Sequence, residues 1–314
     1  VTTVTSRPAG SSQRPSRQAT RVPSANRARA RPSRGRPHRV AHSGRSGSYH
    51  TELAAYAGLR SGSAHLEFVA TAALRGFYSS CEVVLSPSAA TDAHLAELGI
   101  AGERVGRWER GVDLARFDPA HRDPALFAGE RTVLYAGRLT REKGADLLAD
   151  AFLAARVRDP RLHLVLAGGG PEEAMLRERL GEHATFLGWL EGEALARAYA
   201  SADAFLFASR TDTFGQVILE AQASGLPVVA VGEGGPASLV EHGESGLLTA
   251  PDPDALASAL VSVTDTPLLA ERLRRTGLAS ARGRTWTGSM AQLARGYRDA
   301  LLRTSRSVLG SRVA

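Results

Sequence analysis

An α/β fold built on a parallel sheet covered by helices on both faces is what this sequence predicts for most of its length. After Arg131 short apolar runs alternate with stretches of helical spacing, the pattern of successive βα units. Short, wholly apolar strands of this kind belong to sheets buried on both faces. The residues with distinctive chemistry fall where an apolar run gives way to a helical stretch. In such a sheet that junction is the carboxyl end of a strand, where ligands bind.

The elements can be taken in order. Residues 1–48 hold eleven arginines and no acid, and are Ser, Arg, Pro and Ala with scarcely a large apolar side chain. Such a segment buries too little surface to offset its chain entropy and reads as disordered. A basic arm for RNA or anionic lipid, a solvated tail and a stretch read in the wrong frame all fit this composition; the abrupt onset of pattern at Ser48-Tyr49-His50 favours the last. Residues 49–119 read as a partial first domain: a helical stretch from Leu66 to Tyr78, a strand within Glu82 to Ser88, a helix from about Ser88 to Leu98 closed by Gly99, and a strand near Val105 to Trp108. Residues 120–285 read as a second domain, with strands at 132–136, 162–167, 184–187, 204–208 and 227–231 and helices at 144–157, 172–180, 195–201 and 216–224. Its last units begin near Leu239, with a helix from Ala255 to Val263. Residues 286–314 read as closing helices that cross back to the first domain.

Composition bounds the function. With 43% hydrophobic residues in 314, the chain can bury a core in each of two domains. No run approaches the ~18 apolar residues that span a bilayer, so the expected location is cytoplasmic, or peripheral at the inner face of the membrane. Cys81 is the one cysteine, which excludes an internal disulfide and a cysteine metal cluster. The net charge of +7 sits in the first 48 residues; the remainder carries 28 basic against 32 acidic residues. No specific nucleic-acid partner is therefore expected of the folded part.

Two constellations carry the chemistry. The first is Gly137-Arg138-Leu139-Thr140-Arg141-Glu142-Lys143-Gly144, between a strand end and a helix start. Lys143 is the only lysine in the chain, against 38 arginines. A compact ammonium binds a phosphate oxygen as a point charge, and a guanidinium takes two oxygens in its planar fork. With a helix N-terminus beside them, Lys143 and Arg138 can hold a diphosphate without a metal. A solvated turn with ordinary surface cations is the competing reading.

The second constellation runs from Thr211-Asp212-Thr213-Phe214-Gly215-Gln216 to Val217-Ile218-Leu219-Glu220-Ala221. Asp212 and Glu220 have seven residues between them, and Glu220 lies among core-type neighbours where a carboxylate needs a partner. Ribose hydroxyls suit it; a capping Asp212 and a solvated Glu220 are the alternative. Gly168-Gly169-Gly170-Pro171 is by itself a weak nucleotide-loop signal. Asp252-Pro253-Asp254 resembles a metal-binding D-x-D, but its place before a helix makes Asp254 an N-terminal cap. The nine histidines show no metal-ligating spacing.

These motifs, with Ser224-Gly225-Leu226-Pro227-Val228-Val229 and Gly246-Leu247-Leu248, resemble the retaining GT-B glycosyltransferases of family 4 from about Tyr49 to the C-terminus. Tyr49-His50-Thr51-Glu52-Leu53 and Arg110-Gly111-Val112-Asp113 look most like the bacterial mannosyltransferases and glycolipid glycosyltransferases within that family. The resemblance implies a GT-B fold of two Rossmann-like domains, the first of them truncated here. It implies transfer of a hexose, mannose first, from GDP-mannose or a UDP-hexose to a lipid or glycan acceptor, with retention and without a metal or other cofactor. Arg138 and Lys143 would hold the diphosphate, Glu220 the ribose, Asp212 a sugar hydroxyl, and His50 the anomeric face. Gly137, Gly168, Gly169, Thr213, Gln216, Val217 and the amides of Phe214 and Gly215 would complete the donor site. The family usually places glutamate where this chain has Asp212. A nucleotide-sugar-binding remnant without catalysis, a GT-B epimerase and a tail-mediated nucleic-acid binder are the rival readings.

Overall fold

The protein is described by a computed structural model over residues 45–50, 53, 58, 61–127 and 131–313, with side chains through residue 305. The disordered segment expected over residues 1–48 lies outside the described residues as far as residue 44, as do Thr51 and Glu52. Its last residues depart from that expectation, because Ser46–Ser48 form strand β1. The strand carries no apolar side chain that a pattern could detect; its backbone pairs in parallel with Val83–Leu85, and Gly47 lies against Cys81 and Tyr78.

Strand β1 begins a small parallel sheet. Helix α1 (Ala64–Ser79) leads to β2 (Val83–Ser86), and α2 (Ala89–Glu97) to β3 (Val105–Arg107), giving the order β1-β2-β3. Ser63 and Ser88 start the two helices by accepting the amides of Leu66 and Thr91, as N-caps do. One face of the sheet buries Tyr49, Tyr78, Cys81, Val84, Leu95, Leu98 and Ile100. The other buries Val83 and Leu85 against Ala300, with Trp108 and Leu293 beside them. Ala300 and Leu293 belong to the last helix, α10 (Trp286–Val313), so the end of the chain completes the core of the first sheet.

The second sheet has six parallel strands. In chain order they are β4 (Arg131–Ala136), β5 (Leu162–Ala167), β6 (Ala184–Gly188), β7 (Ala204–Phe207), β8 (Val228–Val231) and β9 (Leu247–Thr249). The intervening helices are α3 (Ala145–Arg158), α4 (Glu173–Leu180), α5 (Gly192–Ser201), α6 (Gln216–Ala223) and the short α7 (Pro236–Leu239). Two more, α8 (Pro253–Asp265) and α9 (Pro267–Arg282), follow β9. The last units thus begin with a helix at Pro236. The cap of α8 is Asp252, which accepts the Ala255 amide, while Asp254 sits in the first turn and pairs with Arg158. Pro253 has no N–H to offer and takes the first helical position, which moves the cap one residue before it.

The sheet order is β6-β5-β4-β7-β8-β9. The chain builds outward from β4 to β6, then returns to lay β7 on the other side of β4. That reversal makes the ends of β4 and β7 the switch point of a doubly wound sheet. Alternate strand residues serve opposite faces: Val133, Tyr135, Leu164 and Leu166 pack with Leu148, Phe152 and Leu260, and Leu134, Ala136, Val165 and Phe205 pack with Tyr199, Ile218 and Leu219. The fold is therefore GT-B, two parallel-sheet Rossmann-like domains of which the first has the smaller sheet. The chain crosses between them twice, side by side. The Val112 amide donates to Arg284 O, the Gln292 side chain accepts from the Glu109 amide, and Arg284 pairs with the Glu109 carboxylate at 2.6 Å. Among the described residues no helix is long and apolar enough to cross a membrane.

Candidate functional site

The loops after β4 and β7 meet because small residues let them. Gly144 opens α3 at φ +76°, and a Cβ there would lie 2.3 Å from the Ala208 carbonyl oxygen at the end of β7. Gly168, after β5, is tighter still: at φ +144° its Cβ would fall 1.9 Å from Gly137 O. Both combine a backbone conformation that L side chains avoid with a contact that leaves no room for one. Leu139 N donates to Gly169 O and Gly137 N to Ala167 O, so the loops after β4 and β5 form one hydrogen-bonded layer. On the other side, the Ser209 and Thr211 hydroxyls both donate to the Glu142 carbonyl. That contact staples the loop after β7 to the 3-10 turn Arg141–Lys143.

Lys143 is delivered to Asp212 by this arrangement. Its Nζ stands 2.5 Å from Asp212 Oδ2, and each side chain is about a fifth exposed. The other carboxylate oxygen, Oδ1, accepts the amides of Phe214 at 3.2 Å and Gly215 at 2.9 Å. Burial pushes the Asp212 carboxyl up, and the Lys143 charge with three hydrogen bonds outweighs it and holds the group below the usual range. The Phe214 and Gly215 amides face Asp212, and both Asp212 oxygens are taken by the chain itself. The physical reason is the side chain's length: an aspartate folds back onto the amides two and three residues on, a local closure typical of that residue.

Arg138 is half exposed and lies 3.8 Å from the buried Glu142 carboxylate, so its guanidinium is steered but not consumed. Its carbonyl accepts from the Tyr135 hydroxyl at 2.8 Å. His50 enters from the first domain. The Thr213 hydroxyl donates to His50 O at 2.7 Å, and the imidazole stands edge-on to Trp108 with centroids 4.7 Å apart. Burial, then the nearby Arg110 charge, lowers the His50 pKa, so the ring is neutral at physiological pH. Its Nε2 is buried without a hydrogen-bond partner.

Glu220 lies one helical turn beyond Gln216. The Tyr199 hydroxyl donates to Glu220 Oε2 at 3.0 Å, and burial raises the Glu220 pKa to about 7 against hydrogen bonds from Tyr199 and Gln216 and the charge of Arg116. Gln216 also donates to Gly111 O in the crossing segment. Val217 packs its side chain partly into the core, and Phe214 is fully buried there. Beside the cluster opens a cavity of about 780 Å³ that shares Glu142, Gly144 and Thr211 with it and is otherwise walled by groups such as Ser63, Glu67 and Arg210. Lys143, Asp212 and Glu220 do not line that cavity, and the converging charged groups are the better marker of the chemistry. Among the described residues no three His, Cys, Asp or Glu side chains gather as a metal-binding group. Tyr199, Trp108 and Ser209 were not legible as site residues in the sequence. Each is an ordinary core-type or turn residue whose role depends on a partner far along the chain.

Lys143 is thus held by Asp212 at the switch point of the doubly wound sheet, with Glu220 on the helix that follows the same loop. Residues 130–266 match the family model described as glycosyl transferases group 1. Over those residues the chain belongs to that family. A GDP-mannose-dependent alpha-mannosyltransferase of Mycolicibacterium smegmatis is 40% identical over 236 residues, covering 73% of this chain and 60% of the relative. A Corynebacterium glutamicum protein of the same name is 34% identical over 237 residues and is covered over 55% of its length. The chain thus spans little more than half the length of these curated relatives. Among solved structures, the sucrose-phosphate synthase of Thermosynechococcus elongatus superposes with a TM-score of 0.70 at 27% identity, over 82% of this chain and 68% of that one.

Proposed function

We propose that this protein transfers a hexose from a nucleoside-diphosphate sugar to an acceptor hydroxyl with retention of configuration. The observation that carries the reading is Lys143. The chain's one lysine is held, largely buried, by Asp212 at the point where the sheet reverses direction. Kinship with GDP-mannose-dependent alpha-mannosyltransferases supports GDP-mannose as donor, with a UDP-hexose second. A lipid or glycan acceptor, met at the inner face of the membrane, rests on the resemblance of Tyr49-His50 and Arg110-Gly111-Val112-Asp113 to the glycolipid glycosyltransferases.

In the reaction the bond from the anomeric carbon to the diphosphate oxygen breaks while the acceptor oxygen bonds that carbon from the same face. The acceptor's proton leaves to the departing phosphate oxygen. Negative charge grows on the diphosphate, so fixed cations aimed there stabilise the transition state more than the ground state. Lys143 and Arg138 supply that charge, and α3, opening at Gly144, adds its free amides. Entry of a diphosphate draws Lys143 off Asp212, which frees Oδ2 for a sugar hydroxyl while Oδ1 keeps its two amides. Glu220 takes the ribose, and the buried Nε2 of His50 a hydroxyl of the sugar. Residues 49–119 serve the acceptor side, 120–285 the donor side, and 286–314 join them.

Incubation with labelled GDP-mannose, UDP-glucose and UDP-galactose tests the proposal. Transfer or hydrolysis of one labelled sugar is expected. Saturable binding without turnover assigns the chain to nucleotide-sugar binding alone, and absence of binding refutes both readings.

A further inference from the structure

Tyr199 lies outside every motif of the donor site, yet its hydroxyl hydrogen-bonds Glu220. It sits on α5, wholly buried, among the residues that cover one face of the large sheet. A phenol in such a place has one polar atom to satisfy, and a backbone carbonyl commonly serves. Here the hydroxyl donates instead to a carboxylate, Glu220 Oε2, at 3.0 Å. Two aromatic rings fix where that hydroxyl can go. Phe117, from the segment joining the domains, stands at 90° to the Tyr199 ring with centroids 5.5 Å apart, and Phe205 of β7 lies tilted at 5.6 Å.

The terminal torsion of a glutamate is broad, so an unassisted carboxylate samples many orientations about its last bond. A donor locked in the core removes that freedom. With Oε2 committed to Tyr199 and Gln216 adding a second hydrogen bond, the carboxylate is held facing one way, with lone pairs left to accept from a ligand. Burial and the Glu220 charge push the Tyr199 hydroxyl well above its ordinary pKa, so at neutral pH it keeps its proton and can donate.

We propose that Tyr199 is a positioning residue for nucleotide recognition: its hydroxyl orients the Glu220 carboxylate to receive the vicinal 2′ and 3′ hydroxyls of the donor's ribose. This rests on the reading of Glu220 as the ribose ligand. It carries a selectivity that a packing role does not, because only ligands with ribose hydroxyls depend on it.

The experiment is calorimetric titration of the wild-type chain and the Tyr199→Phe variant with GDP, UDP and their 2′,3′-dideoxy analogues, with Glu220→Gln as reference. Tyr199→Phe keeps the ring and its two aromatic contacts, so its folded state is retained, checked by thermal melting. Losing orientation of a charge-assisted pair should weaken binding of the ribonucleotide about tenfold. The dideoxy analogue should bind wild type and variant alike, and Glu220→Gln should reproduce the pattern. Unchanged ribonucleotide affinity in Tyr199→Phe overturns the inference, as does an equal loss for the ribo and dideoxy forms, which marks a packing effect. If Glu220→Gln is also without effect on the ribonucleotide, the ribose assignment itself fails. Absence of any nucleotide binding by the wild-type chain overturns the proposed function and the inference with it.

Discussion

Glu220 makes the stability of this protein depend on pH in a direction opposite to that of most carboxylates. In the unfolded chain its carboxyl titrates near ~4.3; in the fold burial raises it to about 7. Between those values the folded state keeps a proton that the unfolded state has released. Raising the pH through this window therefore favours unfolding, by up to ~1.4 kcal/mol per unit. The stabilising proton is fully in place below the unfolded value and lost as the pH passes about 7. Over the whole window the effect is about 4 kcal/mol, which for a protein of this size is roughly 8 °C or more in melting temperature. Glu220→Gln keeps a polar amide in the same place but cannot titrate. The assay is urea denaturation of wild type and Glu220→Gln at pH 5, 6, 7 and 8. The variant should gain on the wild type by about 3 kcal/mol between the two ends, nearly all of it before pH 8. A gap that stays constant across the series would show that Glu220 is ionised at pH 5 and refute the burial argument.

Three further outcomes follow from the same geometry. Lys143→Ala should lower turnover about a hundredfold or more in a chain that still melts cooperatively, measured as labelled sugar released at saturating donor; wild-type turnover in the folded variant removes Lys143 from the mechanism. Asp212→Ala should destabilise by about 2 kcal/mol in chemical denaturation, since it strands Lys143 and uncaps the Phe214 and Gly215 amides. An effect below a few tenths of a kcal/mol would mean that the pair does not form in solution. Gly168→Ala should abolish nucleotide binding in titration calorimetry, because the new Cβ meets Gly137 O at 1.9 Å and the two loops must part. Retained affinity would show that the layer formed by these loops is not needed for the donor site.

Much of the fold could be read from local pattern, and the reason lies in how far each signal reaches. A buried parallel strand announces itself in consecutive residues, as at Leu162–Ala167, where expectation and structure coincide. A helix start is written within three residues, as at Ser88. Where local signals are weak, pattern and structure part. Strand β1 consists of serine and glycine and exists because β2 offers it a partner. The cap of α8 moved to Asp252 because Pro253 occupies the first helical position. Lys143, Arg138, Asp212 and Glu220 stood out because a lone lysine, and an acid among core residues, are anomalies visible in composition alone.

By itself, then, the sequence determined the α/β class, the order of the units and a short roster of charged residues at strand ends, since all of these depend on neighbours a few residues apart. The tertiary structure decided which of those residues meet. Lys143 reaches Asp212 across 69 positions only because the chain reverses its winding at β4 and lays β7 beside it. The same packing sets Tyr199 against Glu220, Thr213 against the His50 carbonyl and the closing helix against the first sheet. It also left Asp212 holding its own loop's amides, a use of that carboxylate that depends on where the Phe214 and Gly215 N–H groups point. Strand order and side-chain direction follow from how two layers of helices share one sheet, and no stretch of a few residues encodes that.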